Sequence, residues 1–254
     1  MQTLTFKSKL NEAGRAMELS ELLFFDNKLY SFDDRSGVVY EIDIYNKLAI
    51  PTHILMEGNG HTEKGQKNEW ATVKDGEMYI GSIGKEWTNS KGEIINYNNQ
   101  WIKKIDSEGR ITPLDWRNVY ENMRKATGTQ LPGYLIHESA CFNPMDRKWY
   151  FMPRRESKEE YDDVKDEERG SNLVIVMDEN MQKISSMRIG ELNLRRGFSS
   201  FKFIPYRSDE FVALKTMEYK DSIKTFITVM NLKGEILLPE TEFVDAKYEG
   251  IEFI

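Results

Sequence analysis

Glu138-Ser139-Ala140-Cys141-Phe142-Asn143-Pro144-Met145-Asp146-Arg147-Lys148-Trp149-Tyr150-Phe151-Met152 runs from an oxygen-bearing residue into an apolar stretch, a turn and a second apolar stretch with aromatics. The same order recurs from Ser20 through Ser31, from Glu69 through Ile80 and from Ser199 through Leu214. Its opening half returns at Glu249-Gly250-Ile251-Glu252-Phe253-Ile254. The anchors Ser20, Glu69, Glu138, Ser199 and Glu249 are 49, 69, 61 and 50 residues apart. Repeats of roughly 40–50 residues built of short strands mark β-propeller blades. The expectation is an all-β, five-bladed propeller forming a single domain over residues 1–254.

Innermost strands run the same way along a propeller channel, so equivalent positions face the axis at one height. Ser20, Glu69, Glu138, Ser199 and Glu249 then form a ring of oxygens, to which Glu21 adds another. Carboxylates held that close raise one another's pKa values unless a cation sits between them. Oxygen donors without His or Cys suit a hard cation, calcium before magnesium or zinc. The plainer alternative is that these residues cap strand starts at scattered heights.

Arg35, Lys85, Arg154 and Lys215 follow their anchors by 15 or 16 residues. A second strand antiparallel to the first ends at the face where the first began. Four cations there encircle the ring and suit a phosphate substrate, whose oxygens they meet with charge-assisted hydrogen bonds. The plainer alternative is that strand ends facing solvent favour Lys and Arg.

With 254 residues, a net charge of −7 and 39% hydrophobic content, the chain has enough for one closed core. It lacks the basic footprint of a nucleic-acid binder. No stretch approaches 18 apolar residues, so no transmembrane helix is expected. The lone cysteine, Cys141, excludes an internal disulfide and reads as a buried thiol.

Several stretches resemble the calcium-activated nucleotidases, or calcium apyrases. They include Met17-Glu18-Leu19-Ser20-Glu21-Leu22, residues 30–40, Gly84-Lys85-Glu86-Trp87-Thr88, residues 132–141, Pro153-Arg154-Arg155, Asp166-Glu167-Glu168-Arg169-Gly170, Gly197-Phe198-Ser199-Ser200, Leu237-Leu238-Pro239-Glu240-Thr241 and residues 247–254. The resemblance runs from about residue 8 to the end. It implies a five-bladed propeller with one central calcium that hydrolyses nucleoside di- and triphosphates to lower phosphates and orthophosphate. It also implies a secreted or ER/Golgi lumenal setting, although the chain shows no signal peptide and no Asn-x-Ser/Thr sequon. Members of the family carry further strands before the segment resembling residues 3–10. By that resemblance the fifth blade is closed by one strand from each end, residues 3–10 and 248–254, so the chain is expected either to be a fragment or to close its ring in a reduced way. A homodimer is left open.

The expected roles follow. Ser20, Glu21, Glu69, Glu138, Ser199 and Glu249 hold calcium. Glu69, Glu138, Arg154 and Lys85 carry the chemistry, with Glu69 or Glu138 handling the attacking water. Arg35, Asp34, Trp87, Arg155, Arg169 and Lys215 bind substrate. Trp70 and Trp87 either stack on a nucleobase or fill the core between blades, the commoner place for a propeller tryptophan. His137 precedes an anchor and points to the opposite strand face, so a structural role is expected. Helical spacing of Trp116, Val119, Tyr120 and Met123 predicts a surface helix over 115–125, stopped by Gly128. Residues 156–170, rich in acids, read as a solvated loop except at Glu168-Arg169. Two rival functions remain open from sequence, a calcium-propeller lactonase and a binding propeller with purely structural calcium.

Overall fold

The structure, a computed structural model, describes residues 2–10, 12–15, 17–89 and 93–254. The first four-stranded sheet is β1 (Leu19–Phe25), β2 (Lys28–Asp33), β3 (Val38–Asp43) and β4 (Leu48–Ile54), paired in that order. The second begins with β5 (Trp70–Lys74) and β6 (Glu77–Gly81). A small hairpin, β7 (Trp87–Thr88) and β8 (Ile94–Asn96), intervenes before β9 (Trp101–Ile105) and β10 (Ile111–Asp115) complete it. After α1 (Arg117–Thr127) come β11 (Tyr134–Ile136), β12 (Ala140–Asn143), β13 (Lys148–Phe151) and β14 (Arg155–Ser157). β11 pairs with β14 apart from the blades. Past the short α2 (Asp163–Asp166), β15 (Leu173–Asp178) and β16 (Ile184–Arg188) join β12 and β13 as the third sheet. β17 (Arg196–Phe203), β18 (Glu210–Tyr219), β19 (Ser222–Asn231) and β20 (Ile236–Val244) form the fourth.

These elements follow from local chemistry. Asp26-Asn27 and Asp75-Gly76 turn β1 into β2 and β5 into β6, with both residues of each pair in the left-handed region. That is the two-residue hairpin whose twist matches the flanking strands. β1, β5, β12 and β17 neighbour one another in sequence order as the innermost strands, and the Phe142 N–H donates to Thr72 Oγ1 at 2.9 Å across one such junction.

The ring contains four sheets, not the five expected. Among the described residues, neither 2–10 nor 245–254 forms a strand. The N-terminal segment goes elsewhere: Phe6 packs beside Val38, Tyr40 and Ile42 on the first blade, and the Tyr40 hydroxyl bonds Ser8 Oγ at 3.2 Å. The C-terminal segment instead threads between β17 and β1. The Glu21 N–H donates to the Glu249 carbonyl at 2.9 Å, Ser199 Oγ to the Tyr248 carbonyl at 3.0 Å, and the Ile251 N–H to Ser200 Oγ at 3.2 Å. A two-stranded sheet is marginal alone, and each terminal segment satisfies itself better against a complete blade.

The cores lie between blades. Trp70, Trp116, Tyr120, Trp149 and Phe151 fill the junction of the second and third sheets. Trp70 and Phe151 meet edge-on with centroids 5.2 Å apart, as do Trp116 and Trp149. Each buried side chain of this size contributes on the order of 1.5–3 kcal/mol. Trp70 is therefore core. α1 lies at the surface with its apolar face turned in: it buries Tyr120 and Met123 in this junction, and Gly128, left-handed at φ 71°, stops it.

Candidate functional site

Ser20, Glu69, Glu138 and Glu249 interact with one another, and Ser199 Oγ donates to the Tyr248 carbonyl beside Glu249. The serine anchors lie at β-bulges, where Glu21 in the first blade and Ser199 in the fourth are skipped by the ladder. Ser20 Oγ donates to Glu249 Oε2 at 3.0 Å. Glu69, Glu138 and Glu249 are near enough that their charges disfavour one another. Each is held by a cation. Lys67 pairs with both Glu69 and, at 2.9 Å, Asp34. Lys247 pairs with Glu249 and lies 3.4 Å from Glu218. Arg154 donates to Glu138 at 2.6 Å and also binds Glu218.

This arrangement sets the protonation states. Burial raises the Glu69 carboxyl to about 8 against the pull of Lys67, with Glu138 and Glu249 adding to the rise. Glu249 is raised for the same first reason. Burial works the same way on Glu138, but Arg154, Lys247 and Lys67 overcome it and hold that carboxyl below its ordinary range. Burial pulls on the Lys67 ammonium, and Glu69 and Asp34 override it, so Lys67 stays firmly protonated.

Beside the ring lies a cavity of about 380 Å³ lined by Glu138, Arg154, Arg155, Asp166, Glu218 and Lys220, among others. Arg155 is 4% exposed, and its Nη1 has no hydrogen-bond partner. Lys85 is buried nearby, with its ammonium 4.5 Å over the Tyr161 ring and 3.3 Å from Thr88 Oγ1. Burial lowers its pKa, and Glu86 opposes that.

Other expected residues are placed differently. Glu21 turns away from the ring at φ 61° and is fully buried against Lys202 at 3.2 Å and Ser200 at 2.8 Å. Lys215 faces Glu240 at 3.0 Å in a separate cavity of the fourth blade, which Arg196 also lines. Arg35 lies 4.0 Å from Glu18 at the rim. Asp34 belongs with Lys67 and Glu69, and its Oδ1 is buried without a partner. Trp87 donates to Glu57 Oε2 at 3.2 Å, with the Lys64 ammonium 3.9 Å over its ring. Arg169 ties Ser157 to Glu159 within the acidic loop. His137 is enclosed by Tyr120 and Phe151, as its strand face predicts.

Sequence reasoning missed Lys67, Lys247, Glu218 and Asp166. A signal for the lysines was present. Each precedes its anchor by two residues, and a period of two puts both side chains on one face of an extended chain.

The donor chemistry fits a hard cation: carboxylates and hydroxyls converge, and Glu138 Oε2 is buried with no hydrogen-bond partner. Among the described residues, no group of three or more His, Cys, Asp or Glu is arranged as a ready metal cage. Lys67 and Lys247 balance the carboxylates instead. Among the described residues, no helix is long and apolar enough to cross a membrane.

The chain matches the family described as Apyrase over residues 1–254. Over 249 residues it is 47% identical to soluble calcium-activated nucleotidase 1 of Rattus norvegicus and to that of Mus musculus, covering 98% of this chain and 61% of each relative. It is 44% identical over 250 residues to an apyrase of Cimex lectularius, covering 98% of this chain and 68% of that protein.

Proposed function

Because the chain belongs to the apyrase family, we propose that it hydrolyses nucleoside di- and triphosphates to lower phosphates and orthophosphate with calcium as cofactor. The chain spans 61% of the rat relative's length, so the activity is argued from the site. One observation carries it. Arg154 bridges the carboxylate ring and the cavity, where Arg155 keeps an unpartnered N–H. Anionic and cationic groups thus meet at one wall, which suits a polyphosphate taken up with a cation.

Ser20, Glu69, Glu138, Ser199 and Glu249 would hold calcium. When bound, it would polarise phosphate oxygens as a Lewis acid. Arg154 and Lys85 would meet the phosphates by charge-assisted hydrogen bonds that strengthen as charge develops, and Arg155 by one made alike before and during the reaction. Arg35 and Asp34 would border the same mouth. A water oxygen attacks the terminal phosphorus, the bridging P–O bond breaks, and the lower phosphate leaves. Glu69 or Glu138 would take the water's proton.

The test is orthophosphate release from a nucleoside diphosphate, with calcium and with chelator. Release that requires calcium supports the reading; equal release under both conditions, or none, overturns it. Calcium should also raise the melting temperature, since it binds only the native chain, and Glu249→Gln should shrink that rise.

A further inference from the structure

The acidic segment 156–170 is fastened at four consecutive residues. Asp166 accepts a hydrogen bond from the Tyr134 hydroxyl at 2.5 Å and pairs with Arg155 Nε at 3.6 Å. Glu167 accepts from the Lys220 N–H at 3.1 Å, in the turn between β18 and β19. Glu168 pairs with Arg195 at 2.9 Å, and Arg169 binds Ser157 and Glu159. Glu167 and Glu168 stitch the third blade's loop to the fourth blade. Asp163, Asp166 and Glu167 line the cavity, and of these Asp166 pairs with Arg155 in its wall.

The Arg155 guanidinium is therefore gripped from one side. Asp166 faces its Nε, while Nη1 is buried and unbonded. An arginine N–H left bare in a buried wall costs free energy unless a ligand completes it. The Tyr134 hydroxyl fixes which way the Asp166 carboxylate presents itself. The Tyr161 ring stands edge-on against Tyr134 with centroids 5.4 Å apart, and the Lys85 ammonium lies over that ring. A rigid stack thus supports the carboxylate from behind.

We propose that Asp166 and Tyr134 are positioning residues for Arg155, turning its free Nη1 toward a phosphate oxygen of a bound nucleotide. This rests on the nucleotide-hydrolysis reading above. Neither residue touches the substrate. Their effect passes through Arg155 and should fall on substrate affinity, because Arg155 meets the phosphate before the reaction as well as during it.

A double-mutant cycle on the full chain tests this, reading kcat and KM for a nucleoside diphosphate. Tyr134→Phe keeps the ring and removes one hydrogen bond, so it should raise KM by about tenfold with kcat nearly unchanged. Asp166→Asn should do at least as much. In an Arg155→Ala background both changes should have no further effect on KM. Arg155→Met serves as a second background should the alanine variant fold poorly, since methionine keeps an apolar stem and has no side-chain N–H for Asp166 to face; Tyr134→Phe should be silent there too. Equal KM losses with and without Arg155 would mean that Asp166 only braces the loop, overturning the proposal while leaving the activity standing. A wild-type chain that neither turns over the nucleotide nor binds a non-hydrolysable analogue would overturn the activity itself, and the positioning role with it.

Discussion

Arg154 holds Glu138 on one side and Glu218 on the other, so its substitution has two separable effects. Arg154→Ala should lower kcat about 100–1000-fold, the loss of ~2.7–4 kcal/mol that follows removal of a group meeting developing charge. It also leaves Glu138 without its nearest cation, so the rise in melting temperature given by calcium should persist or grow. A variant that loses calcium stabilisation yet keeps turnover would contradict this. His137 supplies a second prediction. Burial, and then Arg124, lower its pKa to about 3, below the unfolded value near 6.5. The folded state excludes a proton that the unfolded chain takes up, so this contribution is present above about pH 6.5 and is lost as pH falls toward 3. Each unit is worth about 1.4 kcal/mol. Denaturant midpoints between pH 7 and 5 should fall less steeply in His137→Phe than in wild type, and parallel slopes would refute the assignment. The anchors and Arg154 were legible because strand periodicity repeats them. Asp166 and Glu218 were not, because loop crossings and blade order bring them to the site, and no spacing records either.

Among the elements, the turn before Lys85 is tightly constrained. Gly84 is left-handed at φ 72°, and a Cβ there would lie 2.4 Å from the Tyr120 ring and 2.9 Å from His137. Gly84→Ala should therefore destabilise by ~1–3 kcal/mol through overpacking, read as a lower denaturant midpoint with unchanged slope. Wild-type stability would show that α1 yields at this contact. The helix was readable from its periodicity and from Gly128, but its burial was not. Wedging between two sheets depends on Trp116 and Trp149 meeting across a junction that neither segment's pattern encodes. The small β7–β8 and β11–β14 pairs were equally hidden, since two or three residues carry too little alternation to register.

For the whole molecule, four blades were legible and the fifth was over-read. The C-terminal motif repeats an inner strand's residues, yet that segment bonds to β1 and β17 mainly through single hydrogen bonds and side chains, including Phe24 N–H to Glu252 Oε2 at 3.0 Å. A half-repeat specifies a position in the ring without supplying sheet partners. Backbone amides in 248–254 should exchange faster than those of β12 and β13 in the calcium-free chain. They should slow when calcium is added, through Glu249. Equal protection at the outset would show that the segment is as firmly held as a blade.

The buried ion pairs around the anchors have a thermodynamic corollary. Glu69, Glu138, Glu249, Asp34 and Glu218 face Lys67, Lys247 and Arg154, five formal negative charges against three positive. A divalent cation would cancel the excess and loosen the lysines and arginine from their carboxylates. Those groups would then be free to receive an anion, which in turn would make the cation harder to release. Linkage makes such an effect reciprocal: whatever factor calcium adds to nucleotide affinity, the nucleotide must add to calcium affinity.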